Sequence, residues 1–335
     1  MGWDMRLCAL LVMGIGLLPG QCVAAEGTGG GGESLTAEDG SLDGDAEEAD
    51  QIRALTATRE ALHGSAYWLV ENVDSWFGDR PFDEEGGRVR GTVRVRLVYR
   101  EDDGLATDSR FKLRVKMPNV SARAYVFIGR DNEQELVSDQ SEAFSREQLL
   151  LPENEIDRQT LFVGLGYLLR DNLDFRVGVR SGYKLYGQAR YRKVWSQTEA
   201  SNLAWRQTIF LAVDDGLGTT TALDYTYALS PRAAFRWRNS GTFSTETDGV
   251  NWSTSLGLFQ AFGDARQLSV EILGNGETDA RAPLREYGIR GTWSQPVYRD
   301  WVIGELILGH FWPKHDDDPQ RDRSWAAGFG VEMQF

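Results

Sequence analysis

From residue 88 to its last residue the chain repeats one pattern. Segments of roughly ten residues alternate apolar with polar or small side chains, and short stretches of turn-forming residues separate them. A period of two puts successive side chains on opposite faces of an extended strand. The pattern is sharpest at the end, SWAAGFGVEMQF, where Trp325, Ala327, Phe329, Val331, Met333 and Phe335 alternate with Ala326, Gly328, Gly330, Glu332 and Gln334. Fourteen segments are legible: 88–100, 109–117, 119–130, 158–170, 172–181, 184–195, 203–213, 219–229, 232–240, 250–261, 266–274, 284–294, 301–312 and 324–335; merging two weaker ones would give twelve. An even number returns both ends of the repeat to the same side of a sheet.

A strand that ends the chain on an aromatic residue, with apolar partners at every second position before it, resembles the closing strand of bacterial outer-membrane β-barrels. The resemblance is to that broad class. It implies an all-β fold, a transmembrane antiparallel barrel of about fourteen strands, in a Gram-negative outer membrane against lipid and lipopolysaccharide. It also implies that Trp325, Phe329, Val331, Met333 and Phe335 form the signal read by the barrel assembly machinery, and that the last strand zips to the first. Segment lengths agree, since a tilted strand crosses a bilayer in ~9–11 residues.

What precedes the repeat is different. The one long apolar run, 7–18, is too short to span a bilayer as a helix, follows Arg6 and leads to Val23-Ala24-Ala25, so residues 1–25 read as a secretory signal peptide. Both cysteines, Cys8 and Cys22, lie inside it, leaving no disulfide or thiol chemistry afterwards. Residues 26–50 are glycine, serine and acids with almost nothing apolar, the composition of a disordered tail. Residues 51–80 carry Leu55, Leu62, Trp68, Leu69, Val73, Trp76 and Phe77 at near-helical spacing and read as a short helical extension, either a plug or a docking element for a periplasmic partner. Residues 81–335 form the barrel. The formal net charge of -14 argues against a nucleic-acid partner.

Period two also assigns the faces. Val93, Val95, Leu97, Phe111, Leu113 and Val115 face lipid, so Arg90, Arg94, Arg96, Arg110, Lys112, Arg114 and Lys116 face the lumen, followed by Arg123, Arg176, Arg190, Arg206 and Arg236. The opposite assignment would cost about 2–4 kcal/mol for each Arg or Lys at the midplane. The last four strands turn Glu271, Glu286, Glu305 and Glu332 inward, with Arg290 the exception, and Glu332 should meet the arginine row of the first strand when the barrel shuts. Either these charges pair and fill the lumen, or they line a water-filled pore that favours anions. Bases outnumber the wall glutamates, so the surplus needs water, anionic solutes or an acidic insert. The longest connection, 131–157, is acidic. It reads most simply as a solvated loop; dipping inward, it would bring Glu133, Glu135, Asp139 or Glu142 to the arginine wall. Gln207 falls on the lipid face, which predicts a bulge or a register change in the seventh strand.

No catalytic constellation emerges. A lipid hydrolase needs a Ser and a His within hydrogen-bond reach. Ser240 follows Arg236-Trp237-Arg238-Asn239 with no histidine at the expected place; the histidines are His63, His310 and His315. His315 and the three aspartates after it read as a solvated run, and the glycines 29–32 lack the lysine of a phosphate loop. The sequence therefore predicts no enzyme, metal or cofactor, but a channel passing small anionic solutes or, alternatively, a closed barrel anchoring a periplasmic complex.

Overall fold

The computed structural model describes residues 89–116, 123–139, 159–247, 249–263, 265–299, 301–314 and 320–335. The leader, acidic tail and helical extension expected over 1–80 lie outside the described residues, as do Met117, Glu142 and His315. The elements in order are β1 (Val89–Arg100), β2 (Gly104–Lys116), β3 (Ala124–Asn132), α1 (Glu133–Ser138), β4 (Gln159–Arg170), β5 (Leu173–Arg180), β6 (Lys184–Thr198), β7 (Ser201–Ala212), β8 (Gly216–Ser230), β9 (Ala233–Ser244), β10 (Asn251–Phe262), β11 (Arg266–Glu277), β12 (Glu286–Tyr298), β13 (Val302–Pro313) and β14 (Ser324–Gln334).

Each strand pairs antiparallel with its neighbours in sequence, and β14 pairs with β1, so the sheet closes. Closure leaves no edge of unpaired N–H and C=O groups, the condition for a sheet to cross hydrocarbon. At the seam Arg94 lies opposite Glu332 and Leu97 opposite Phe329. Phe335 exchanges two backbone hydrogen bonds with Gly91, at 2.7 and 3.0 Å, and its ring fills the space that a Cβ on Gly91 would need. One rim carries the start of β1 and the end of β14; the opposite rim carries most of the longer connections.

The faces divide as period two requires. Leu161, Val163, Leu165, Val177, Ile209, Leu211, Leu256, Leu258, Val270, Ile272, Leu306 and Leu308 are exposed on the outside. So large an apolar surface is stable only against lipid. Aromatic clusters bound it: Trp195 stacks on Trp205 and Tyr191 meets Trp205 toward the terminal rim, whereas Tyr287 stacks on Trp312 toward the loop rim. This apolar belt between aromatic girdles on a closed fourteen-stranded sheet places the chain in a bacterial outer membrane.

Several boundaries differ from the sequence expectation. β2 begins at Gly104, because Gly104–Asp108 continue the pairing with Arg96–Arg100, and the loop expected over 101–108 is a turn of residues 101–103. The connection expected over 196–202 contracts to residues 199–200 as β6 and β7 pair to their tips, with a register shift between Ser196 and Thr198. β12 runs on through Pro296 to Tyr298 by a register shift, since proline cannot donate to the ladder. No bulge forms at Gln207: pairing of β7 with β8 is continuous from Ser201 to Ala212. Its amide stays on the lipid face, donating to Thr219 Oγ1 at 2.6 Å and accepting from Thr221 Oγ1 at 2.8 Å. Two neighbouring threonines thus do locally what a change of register would have done globally.

Replacing Gly91 with Val should expel the Phe335 ring from the seam. The expected outcome is a smaller fraction of folded, heat-shiftable barrel on gels than for wild type; an unchanged fraction would show that the ring does not set closure.

Candidate functional site

The residue that opens the longest connection also turns it inward. Asn132 ends β3 and its side-chain oxygen accepts the Glu135 N–H at 3.2 Å, capping α1. Asp139 ends the helix with a positive φ of 61°, a conformation aspartate tolerates better than most residues. Between the two, Val137 is fully buried and Leu136 partly so, packed on the inward aromatic residues Tyr125, Phe127, Phe162, Tyr186 and Phe210. Gln188 Nε2 donates to the Leu136 carbonyl at 2.6 Å and also to that of Val137. The plainer expectation, a solvated loop, is therefore corrected for residues 131–139, which fold into the lumen. The apolar pair Leu136-Val137 inside an otherwise acidic loop was the signal for it.

The segment carries acid to the basic wall. Asp131 accepts from Arg110 at 2.8 Å and pairs with Lys112 at 2.8 Å, while Glu135 meets Arg110 at 3.3 Å. Arg190 bridges Asp139 at 2.7 Å and Asp174 at 3.0 Å; Asp139 also accepts from Thr208 at 3.0 Å and pairs with Arg206. Glu133, Asp214 and Asp215 surround Arg180. Asp174 and Asp224, inward residues that the sequence reading does not single out, neutralise Arg176 at 3.1 Å and Arg236 at 2.9 Å. Both have the same parity as the arginine beside them, so counting every second residue would have found them.

The other half of the lumen pairs wall with wall. Arg94 Nε donates to Glu332 at 2.7 Å. Arg96 passes over Gly330 to reach Glu305 at 2.6 Å, and Arg100 reaches Glu286 on β12. These partners sit two and three strands away around the closed sheet, so the contacts run through the interior. Glu271 holds Arg238 at 2.8 Å and Arg290 as well. Above them Val98, Leu273, Ile307, Phe311 and Ala326 form a small apolar cluster, with the Arg100 guanidinium 5.0 Å from the Phe311 ring. Ser240 bonds Ser253 on the lumen side at 2.6 Å, whereas His310 lies on the lipid side between Trp312 and Trp325, so the two form no dyad.

Two rows of β1 and β2 are different. Register sets Arg90 opposite Arg114 and Thr92 opposite Lys112. No carboxylate lies within ion-pair reach of Arg90, Arg114 or Lys116 among the described residues, and Arg114 lies 3.6 Å over the Tyr125 ring. These groups stand at the terminal end of the lumen, beside a cavity of about 270 Å³.

At the loop rim, burial would push the Asp102 carboxyl up. The Ser324 hydroxyl and the Arg100 guanidinium outweigh it and hold Asp102 below the ordinary carboxylate range. The Lys184 ammonium holds Asp214 down, whereas burial pushes the neighbouring Asp215 up.

No known family and no curated protein matches the chain. Among solved structures, OccK11 of Pseudomonas aeruginosa is 10% identical, with 74% of this chain and 96% of that one covered and a TM-score of 0.40. OprD of the same organism is 10% identical, covering 75% and 95%, with a TM-score of 0.38. The KdgM porin is 7% identical, covering 73% and 99%, with a TM-score of 0.36. At such values the likeness is one of architecture, and the barrel stands on its own strand pairing.

Glu271→Gln would remove the carboxylate that Arg238 and Arg290 share. A loss of about 3–5 kcal/mol is expected in denaturant unfolding, well above that for Glu332→Gln, whose Arg94 partner is 29% exposed. Because the folded pKa of Asp102 is depressed, its stabilising effect is present above the unfolded value of about 4 and lost as pH falls through the folded one. Ser324→Ala should raise the folded value and move that loss to higher pH, readable in a carboxyl-carbon NMR titration.

Proposed function

We propose that this protein is a porin-like outer-membrane channel for small anionic solutes, with α1 narrowing its lumen. The observation that carries the reading is the charge left over after pairing. Among the described residues Arg90, Arg114 and Lys116 have no carboxylate partner, and Lys112 shares Asp131 with Arg110 while remaining half exposed. Cations held at a pore wall attract anions and repel cations, and the effect is strongest where water is scarce. Selectivity then belongs to the terminal end of β1 and β2. Arg94, Arg96, Arg110, Arg176, Arg190 and Arg236 are neutralised in place by Glu332, Glu305, Asp131, Asp174, Asp139 and Asp224, and they hold the lumen's shape.

The density of ion pairs favours a second reading, a closed barrel that serves as an anchor for a periplasmic partner. Reversal potential in planar bilayers under a KCl gradient separates the two. Wild type should prefer chloride, and the double substitution Arg90→Glu with Arg114→Glu should abolish or reverse that preference. A wild-type barrel that conducts nothing would leave the anchor.

A further inference from the structure

The geometry points to a discrete subsite for a small organic carboxylate with an apolar body, set between β1, β2, β3 and α1; the inference deepens the channel reading and rests on it. Arg90 and Arg114 face each other across a strand pair, an arrangement that repels unless an anion lies between them. Higher on the same two strands the corresponding facing pair, Arg94 and Arg110, is relieved by Glu332 and by Asp108, Asp131 and Glu135. At Arg90 and Arg114 the described residues supply no such group.

The cavity beside them has two chemical sides. Arg90, Lys112, Arg114 and Arg176 give it four cations against Asp131 and Asp139. Asp131 is shared by Arg110 and Lys112, Asp139 serves Arg190 and Thr208, and Arg176 is paired with Asp174, which leaves Arg90 and Arg114 as the surplus cations among the described residues. The net field is positive. Facing the cations are Phe127, Phe162 and Leu136, together with the ring of Tyr125. The Tyr125 hydroxyl is already engaged: it donates to Asp174 at 2.7 Å and accepts from Arg176 at 3.0 Å. The tyrosine therefore offers this space a ring, its polar tip being already bonded.

Arg114 joins the two sides. Its guanidinium carbon lies 3.6 Å from the centroid of the Tyr125 ring, held there by cation–π attraction, and a guanidinium so held can still offer an edge of N–H donors. A carboxylate between that edge and Arg90 would receive charge-assisted hydrogen bonds from both. The volume of about 270 Å³ is just below the roughly 300–1,000 Å³ of ordinary ligand pockets, which suits a single ring or a short branched chain. Inorganic anions use only one side of such a space.

The test is calorimetric titration of the purified full-length protein in detergent with benzoate, acetate and inorganic phosphate. Benzoate should bind about tenfold or more tightly than either of the others, and Arg90→Gln or Arg114→Gln should each weaken it by about tenfold. Equal binding of the three anions would overturn the subsite, as would benzoate binding indifferent to both substitutions. Both variants should keep the wild-type heat shift on gels, so that a loss of binding is not a loss of fold. The subsite and the channel fail separately. Chloride preference in bilayers with equal binding of the three anions sinks the subsite alone, and tight benzoate binding by a barrel that conducts nothing sinks the channel alone.

Discussion

Everything in this molecule follows from a solvent that accepts no hydrogen bonds. Inside hydrocarbon each backbone N–H and C=O must find a partner within the protein. A sheet meets that demand only by joining its first strand to its last. Closure then gives the chain two surfaces of opposite requirement, with lipid outside and charge confined inside. Twelve strands could close as well as fourteen. The alternation of faces, once lipid is present, leaves far less freedom.

Confinement has its own cost. More than ten arginines and lysines turned into one lumen repel one another unless acids are brought among them. The chain brings them by three routes. The glutamates of β11 to β14 face β1 and β9 across the lumen or along the seam. Asp174 and Asp224 sit two strand positions or one neighbouring strand from the arginine they serve. Others arrive on α1 and the residue that ends it, a short segment that places Glu133, Glu135 and Asp139 against three separate bases. Among the described residues the supply ends at Arg90, Arg114 and Lys116, and that gradient from paired to unpaired charge gives the lumen a direction.

The sequence showed the barrel more clearly than the lumen, for a physical reason. Strand faces obey a local rule, so Val93 or Arg94 can be assigned from its neighbours alone, and the ends of β1, β4, β5 and β14 came out within about a residue. Pairing inside a barrel is not local. Arg96 and Glu305 are 209 residues apart, and nothing in either segment names the other. Glu332 against Arg94 was the exception, because closure dictates which strands meet at the seam. Gln207 misled for a related reason: its polarity signalled a fault in the strand, while the remedy lay on β8 in Thr219 and Thr221. The inward fold of residues 131–139 was hidden by composition, since six charged or amide side chains conceal two apolar ones.

The position of α1 bears on the order of assembly. It touches β3, β6, β7 and β8, and each of these precedes the closing strand in the chain. A curved, still-open sheet of the first eight strands already presents the whole seat: the aromatic floor of Tyr125, Phe127 and Phe162, the Gln188 donor, and Arg190. The segment can therefore dock from the open side before β14 arrives, and the last strand then shuts a cylinder that is already furnished. Were its partners on β12 or β13, the same segment would have to thread a finished ring from the rim.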